Sequence, residues 1–228
     1  MIEPSPLGRV FVVDEAPHPL FYTTIDFDGR IAPEITAFIR DRFGVDATLN
    51  TCSQVHGVAV HRAGSASTCD ALFTTQPGEA LAIKVADCLP VTIFERDVLA
   101  NIHSGWRGTV QRITAATLDV LERETSFDAA RASAFLGPTI RVCCFEVGEE
   151  VASQFDEPFV DRNHPKPHVD IVAVTTALLK SRGIAKIVDT GLCTRCDGSI
   201  FHSYRREGRS GGRNLAIGVS PFIVPFRH

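Results

Sequence analysis

Short apolar runs separated by turn-forming residues dominate the first part of the chain. Residues 10–13 and 20–25 combine β-branched and aromatic side chains, a composition that predicts two strands. Pro33–Phe43 instead repeats its apolar residues at helical spacing. Because this segment begins with proline and is followed by Gly44, it predicts a complete helix. The first third of the chain is therefore expected to be mostly β, with one helix.

The middle of the chain carries three further apolar runs at residues 81–85, 91–95 and 99–103. Their close spacing predicts neighbouring strands of one buried sheet. Residues 109–124 give the clearest helical pattern, and Thr109 is a candidate cap. One face of this predicted helix carries Val110, Ile113, Ala116, Thr117 and Leu121.

The second half of the chain alternates between the two patterns. It predicts strands at residues 132–136, 185–188 and 215–219, and helices at 146–155 and 170–182. The mixture indicates an α/β or α+β fold, which we expect to form one domain over residues 1–228. The order of the strands does not follow from the pattern.

Composition narrows the class of protein. The chain has 228 residues, a net charge of -4 and an estimated pI of 6.1, which argues against a dedicated nucleic-acid binder. No leader pattern opens the chain and no run approaches the roughly eighteen apolar residues of a membrane span, so we expect a cytoplasmic protein without a membrane partner. Seven cysteines, an odd number, then argue for metal binding, catalysis or burial rather than a disulfide scaffold.

Three segments place reactive side chains beside turn-forming residues at the ends of predicted strands, and they contain His56, Cys88 and His103. Two imidazoles and a thiolate suit zinc, and three protein ligands leave a fourth position for water or substrate. The ligands are separated by 32 and 15 residues, which matches no local zinc-finger pattern. A buried thiol with two hydrogen-bonded histidines is therefore an equal interpretation at this point.

Charged residues near these segments are candidates for catalysis and phosphate binding. Asp87, beside Cys88, and Glu146 are candidate proton carriers, although either could be a structural hydrogen-bond partner. Arg107 precedes a predicted helix, and Arg205 lies in a late polar segment, so both are candidates for binding phosphate. The alternative for each arginine is a solvated surface position.

The remaining cysteines give weaker indications. Cys193 and Cys196 form a single CxxC pair, which is half of a metal site or a redox pair. Cys143 and Cys144 would point in opposite directions on a strand, so they make a poor second half. Buried thiols are the favoured interpretation of these four residues.

The motifs taken together resemble one family. They are the segments 54–57, 86–90 and 103–109, Gly137-Pro138 followed by residues 144–148, and residues 201–208. In this combination the chain closely resembles the laccase-domain family, formerly called multicopper polyphenol oxidase and now regarded as purine nucleoside phosphorylase and adenosine deaminase.

The resemblance implies a fold, a metal site and an activity. The fold is a single mixed α/β domain of the type likened to cytotoxic-necrotizing-factor cysteine hydrolases. The metal site is a zinc site formed by His56, Cys88 and His103. Cys88 and His103 are catalytic candidates, and Asp87 joins them because it lies beside Cys88 rather than because of the resemblance. The implied activity is phosphorolysis of adenosine, inosine and methylthioadenosine, together with adenosine deamination. A nucleoside and phosphate are then the expected small-molecule partners.

Three other functions stay open. A copper-dependent polyphenol oxidase is the older family description, but eight histidines without a His-X-His pair do not support a trinuclear copper cluster. Cys88 could instead be a nucleophile with His103 as its base, as in a cysteine amide hydrolase. A zinc-binding interaction module would need a fourth ligand, for which Cys52, His61 and Cys69 are the nearest candidates.

Overall fold

A computed structural model describes residues 1–65 and 68–220, and two six-stranded sheets form its centre. The first sheet contains, in spatial order, β1 (Ile2–Ser5), β2 (Gly8–Val12), β3 (Leu20–Thr23), β14 (Asn214–Val219), β7 (Glu79–Val85) and β4 (Thr48–Asn50). Neighbouring strands are antiparallel except for the parallel pair β4 and β7.

The second sheet contains β13 (Lys186–Asp189), β10 (Ser133–Leu136), β8 (Leu89–Glu95), β9 (Val98–Ser104), β6 (Ala71–Thr74) and β5 (Val60–Arg62), in this order. Its two outer pairs are parallel and its inner pairs are antiparallel. A separate two-stranded sheet pairs β11 (Val160–Asp161) with β12 (His168–Val169).

Helices cover the outer faces of both sheets. Helix α1 (Pro33–Phe43) packs on the first sheet, and α3 (Ile113–Glu124) and α5 (Ile171–Ser181) pack on the second. Shorter helices are α2 (Trp106–Val110), α4 (Glu149–Ala152) and α6 (Tyr204–Glu207). Since the two sheets also share a core, the architecture has four layers, helix, sheet, sheet and helix. The mixed α/β class expected from the sequence is confirmed.

The core between the sheets follows the two-residue period of the strands. Leu81, Ile83 and Val85 of β7 face the second sheet, whereas Ala80 and Ala82 face α1. Within this inner layer, the Asn101 side chain of β9 donates hydrogen bonds to backbone carbonyls of β7 and β14. Since helices cover the outer faces, the central strands of both sheets are buried on two faces.

Three predictions about elements were wrong. Residues 81–85 do not share a sheet with 91–95 and 99–103, because the chain crosses between the layers at residues 86–88. Helix 109–124 is interrupted at Arg112, whose φ of 64° is left-handed, so Thr109 belongs to α2 and caps nothing. The helix expected at 146–155 is reduced to α4, since Gly148 is extended at its start.

The other predicted elements are confirmed, with bounds that differ by a few residues. Helix α1 begins and ends where the proline and Gly44 indicated, and Gly44 has a left-handed φ of 71°. Among the helices of residues 1–65 and 68–220, none combines the length and the apolarity needed to cross a membrane.

Candidate metal and substrate site

Three chain segments meet at one end of the space between the two sheets. Cys88 lies in the crossing from β7 to β8, His103 is the penultimate residue of β9, and His56 lies in the loop between β4 and β5. His103 is on the inner face of its strand, as is Asn101 two positions earlier. The structure thus brings these three side chains together, as we expected from the sequence.

The distances between the three side chains suit a tetrahedral ion. Their ligand atoms all lie within 4.8 Å of one another, and Cys88 Sγ is 3.8 Å from His56 Nε2. Zinc bonds of about 2.3 Å to sulfur and about 2.0 Å to nitrogen would separate these two atoms by about 3.6 Å. The residues therefore fit zinc in both donor type and spacing.

Asp70 orients both histidines and was not anticipated from the sequence. Its carboxylate is buried, and Oδ1 accepts a hydrogen bond from His103 Nδ1 at 2.9 Å. Oδ1 also accepts the backbone N–H of His56 at 2.9 Å, and Oδ2 accepts that of Gly57 at 2.7 Å. These bonds hold His56 in a left-handed conformation, with φ of 62°. The other nitrogen of His103, Nε2, is thereby directed to the site.

The sequence offers only a weak signal for Asp70, which directly precedes the apolar run of β6. A carboxylate buried at that point requires hydrogen-bond partners, and the histidines of the chain are candidates, but the burial itself becomes known only from the structure.

Gly105 leaves room for the metal ligands. A Cβ at this position would lie 2.9 Å from Cys88 Sγ and 3.1 Å from His56 Cδ2. Both distances are shorter than ordinary van der Waals contacts. The glycine after the end of β9 is thus needed for space, since its own φ of -69° is open to any residue.

The electrostatics favour a thiolate at Cys88. Burial raises the pKa of this thiol, but hydrogen bonds with His103 and His56 lower it to about 7. Burial lowers the pKa of His103, whereas hydrogen bonds with Asp70 and Cys88 raise it to about 9. A thiolate is the form that binds metals and the form that acts as a nucleophile.

Asp87 is held by hydrogen bonds on both carboxylate oxygens. Oδ1 accepts from the hydroxyl of Thr194 and Oδ2 from the backbone N–H of Arg205, each at 2.6 Å. Its backbone is also left-handed, with φ of 83°. This carboxylate therefore joins the crossing segment of Cys88 to the turn that carries Thr194 and to α6, which carries Arg205.

A cavity of about 1100 Å³ opens beside the three ligand candidates. Arg107 and Arg205 both line it, as expected of phosphate-binding candidates. The Arg107 guanidinium lies 4.4 Å from the centre of the Trp106 ring, and Arg205 donates to the carbonyl of Glu146 at 2.9 Å. The other cationic side chains along the walls are Lys84, Lys166 and Arg213.

Aromatic rings and one further carboxylate complete the walls. Trp106, Phe145 and Tyr204 line the cavity, and Tyr204 is 47% exposed. Glu146 also lines it and forms an ion pair with Lys166 at 3.0 Å, which lowers the pKa of the carboxyl. The cavity thus combines flat apolar surfaces with cations.

The candidates for a fourth protein ligand do not join the group. The Cys52 thiol donates to the backbone carbonyl of Cys69 at 3.1 Å, and His61 lies within β5. Within residues 1–65 and 68–220, the group around Cys88 contains His56 and His103 alone as further ligands. Three protein ligands leave a tetrahedral ion open towards the cavity.

Comparisons with known proteins identify a family and several similar sequences. A family model described as multi-copper polyphenol oxidoreductase laccase matches residues 30–220. An adenosine deaminase named RL5, from an unknown prokaryotic organism, is 36% identical over 158 residues, 64% of this chain and 60% of that protein. A purine nucleoside phosphorylase of Clostridium acetobutylicum is 31% identical over 154 residues, 65% of each chain. The matched segments therefore span less than two thirds of these two relatives.

A longer match is found with a purine nucleoside phosphorylase of Pseudomonas aeruginosa, which is 32% identical over 199 residues, 82% of this chain and 80% of that protein. Among solved structures, the hypothetical protein YfiH of Bacillus licheniformis superposes with a TM-score of 0.79 at 21% identity, over 92% of this chain and 99% of that one. Protein NMB0706 of Neisseria meningitidis gives 0.76 at 23% identity, over 93% and 99%. At these identities the structures support the fold alone.

Proposed function

This chain belongs to the multi-copper polyphenol oxidoreductase laccase family, whose model covers residues 30–220, and we propose that it is a zinc-dependent purine nucleoside enzyme. It would split adenosine, inosine and methylthioadenosine with phosphate and also deaminate adenosine. The similarity to proteins named purine nucleoside phosphorylase and adenosine deaminase supports this assignment.

The observation that carries the proposal is the open three-ligand site on the wall of a cationic cavity. His56, Cys88 and His103 would hold the ion, and the fourth position faces the space in which a substrate would lie. Bound zinc supplies a Lewis acid and lowers the pKa of a coordinated water towards neutrality. Nitrogen and sulfur ligands with one open position are typical of catalytic zinc.

The chain's own residues meet the requirements of phosphorolysis. The bond between the sugar C1′ and the purine nitrogen breaks, a bond from C1′ to a phosphate oxygen forms, and the purine takes up a proton. Arg107 and Arg205 supply guanidinium groups for the phosphate. Trp106 and Phe145 offer rings against which a purine stacks.

Deamination requires water to add to C6 of the purine ring and ammonia to leave. A side chain must accept the water proton and return a proton to the leaving nitrogen. We retain Asp87 as a catalytic candidate because it adjoins Cys88 and lines the cavity, although its hydrogen bonds with Thr194 and Arg205 also support a positioning role. Glu146 lines the same cavity and is the alternative proton carrier.

The experiment is to incubate protein of verified zinc content with inosine or adenosine, with and without phosphate, and to separate the products by chromatography. Phosphate-dependent release of the purine base, lost in Cys88→Ala, supports the proposal. Zinc-loaded protein that neither releases base nor forms inosine from adenosine would exclude it. The same assay on copper-loaded protein, with a phenol as a parallel substrate, tests the oxidase alternative.

A second function, cysteine amide hydrolysis, has one observation in its favour. Cys88, His103 and Asp70 have the order of a nucleophile, a base and a carboxylate that orients the base. This reading needs a metal-free Cys88 thiolate, so it excludes zinc ligation during turnover. Amide hydrolysis by zinc-free protein, inhibited when zinc is added, would favour it over the nucleoside reaction.

A further inference from the structure

A second group of metal-binding side chains lies apart from the site of Cys88. The Sγ atoms of Cys143, Cys144, Cys193 and Cys196 all lie within 4.8 Å of one another. The first two residues come from the segment between β10 and α4, and the last two from the turn that follows β13. All four are free thiols.

The adjacent pair converges for a local reason. On a strand, Cys143 and Cys144 would point in opposite directions, as the sequence had suggested. Residues 142–144 instead form a turn, in which the N–H groups of Cys144 and Phe145 both donate to the carbonyl of Arg141 at 2.8 Å. Both sulfur atoms therefore face the CxxC turn, and the prediction of a poor second half was wrong.

The sulfur separations match those of a tetrahedral zinc site. Four Zn–S bonds of about 2.3 Å separate the sulfur atoms by about 3.8 Å. Cys143 Sγ lies 3.7 Å from that of Cys144 and 3.8 Å from those of Cys193 and Cys196. The Cys144–Cys196 separation, 3.3 Å, is the shortest of those measured. These four separations are thus within about half an ångström of the tetrahedral value, and all six are below 4.8 Å.

The surroundings of the sulfur atoms also suit an ion. Cys144 and Cys193 are buried, whereas Cys143 and Cys196 are exposed, which gives an ion a route from solvent. Hydrogen bonds fix the CxxC turn, since the backbone N–H of Cys193 donates to Asp197 Oδ2 at 2.9 Å and the backbone N–H of Asp197 donates to the carbonyl of Cys193 at 2.8 Å.

We propose that Cys143, Cys144, Cys193 and Cys196 bind one structural zinc ion. Four thiolates close the coordination sphere, so the ion takes no substrate, and its binding releases the thiol protons to solvent. The ion would join the segment of Phe145 and Glu146, which line the cavity, to the turn of Thr194, which holds Asp87. It would thereby brace one wall of the cavity without taking part in the reaction.

The test isolates this cluster by removing the other thiolate. Cys88→Ala protein is loaded with zinc in reducing buffer, freed of excess metal by gel filtration and analysed for zinc and by X-ray absorption. We expect one zinc ion per chain, with a shell of sulfur alone at about 2.3 Å. Adding Cys143→Ser and Cys196→Ser should remove it, whereas adding Cys52→Ser, the matched control, should not.

Two outcomes would overturn the proposal. One is Cys88→Ala protein that holds no zinc and in which all four thiols are alkylated without unfolding. The other is a disulfide between Cys144 and Cys196 in the purified protein, identified by peptide mass mapping. Both measurements use protein with an intact cluster, so a folding defect of the serine variants does not affect them. The result is also independent of whether the cavity cleaves nucleosides.

Discussion

Asp70 accepts a hydrogen bond from Nδ1 of His103 at 2.9 Å, while the backbone N–H groups of His56 and Gly57 donate to the same carboxylate. One buried side chain thus sets the ring orientation of one metal-ligand candidate and the backbone conformation of the other. Supporting groups of this kind raise metal affinity by orienting the ligands.

Replacing this carboxylate should weaken zinc binding. In Asp70→Asn the negative charge is lost and the amide can present an N–H to His103, so we expect zinc affinity to fall about 10- to 100-fold. Chelator competition measures the affinity. Asp46→Asn, which changes an exposed carboxylate paired with Arg40, is the control and should leave the affinity at this site unchanged. Unaltered affinity in Asp70→Asn would show that the histidines are oriented by other groups.

A methyl group at position 105 should also disturb the site. In Gly105→Ala the new Cβ would lie 2.9 Å from the Cys88 sulfur, so one of the two must move. We expect a loss of zinc affinity of at least about 10-fold, the lower end of what misplacing a supporting group costs. Gly57→Ala is the matched control, because its Cβ would meet Asp70 at an ordinary 3.5 Å. Equal affinities in the two variants would contradict the steric argument.

The thiol of Cys88 should titrate near neutrality in metal-free protein. Its pKa of about 7 means that alkylation by iodoacetamide rises with pH through about 7, instead of through about 8.5 as for an ordinary thiol. Loss of the His103 hydrogen bond in His103→Asn should move the midpoint upward. Peptide mass mapping separates Cys88 from the other cysteines, and zinc should slow its alkylation. Equal rates with and without zinc would count against metal ligation.

Removing the Arg107 charge should weaken the binding of phosphate more than the binding of the nucleoside. Arg107→Gln keeps a polar, shorter side chain and loses the guanidinium, so we expect KM for phosphate to rise about tenfold, the loss of a charge-assisted hydrogen bond of about 1.5 kcal/mol. Zinc content should not change. Arg123→Gln, at an exposed position of α3 that does not line the cavity, serves as the control. A rise confined to KM for the nucleoside would place the phosphate elsewhere.

Asn101 should matter for stability, because its amide joins the two sheets. Nδ2 donates to the carbonyls of Leu81 and Ala216, both at 2.9 Å. Asn101→Leu leaves both carbonyls without this donor, at about 1–3 kcal/mol for each buried group, so the free energy of unfolding should fall by at least about 2 kcal/mol. Urea denaturation at fixed zinc concentration measures it. The exposed Asn163→Leu should change stability by less than about 0.5 kcal/mol.

The three metal-ligand candidates could be picked out because their residue types are informative wherever they stand. His56, Cys88 and His103 each lie beside turn residues, and the family resemblance grouped them, so we expected them to lie together, as they do in the structure. Asp70 was missed because a single carboxylate before a strand is ordinary until its burial is known. Its role depends on contacts that span 14 and 33 residues, which no local pattern contains.

The errors in the predicted fold have a similar origin, because they also concern features that no local pattern reveals. The apolar runs of β7 and β8 look alike, so nothing local indicated that the chain changes layer at Asp87. The left-handed residue at Arg112 interrupts a helical pattern that is continuous in hydrophobicity. The likeness to cytotoxic-necrotizing-factor cysteine hydrolases stays a prediction.

The chain crosses from one sheet to the other at residues 86–88, so the distance between the metal-ligand candidates depends on how far apart the two sheets lie. Cys88 is carried by a connector between the sheets, and His103 by a strand of only one of them. A substitution that wedges the layers apart would therefore lengthen the distance between ligands without touching either. Gly218 of β14 is such a place, since an added Cβ would lie 3.0 Å from Leu99 and 3.1 Å from Thr92 of the opposite sheet. We therefore expect substitutions at core positions remote from these three side chains to change the affinity for zinc.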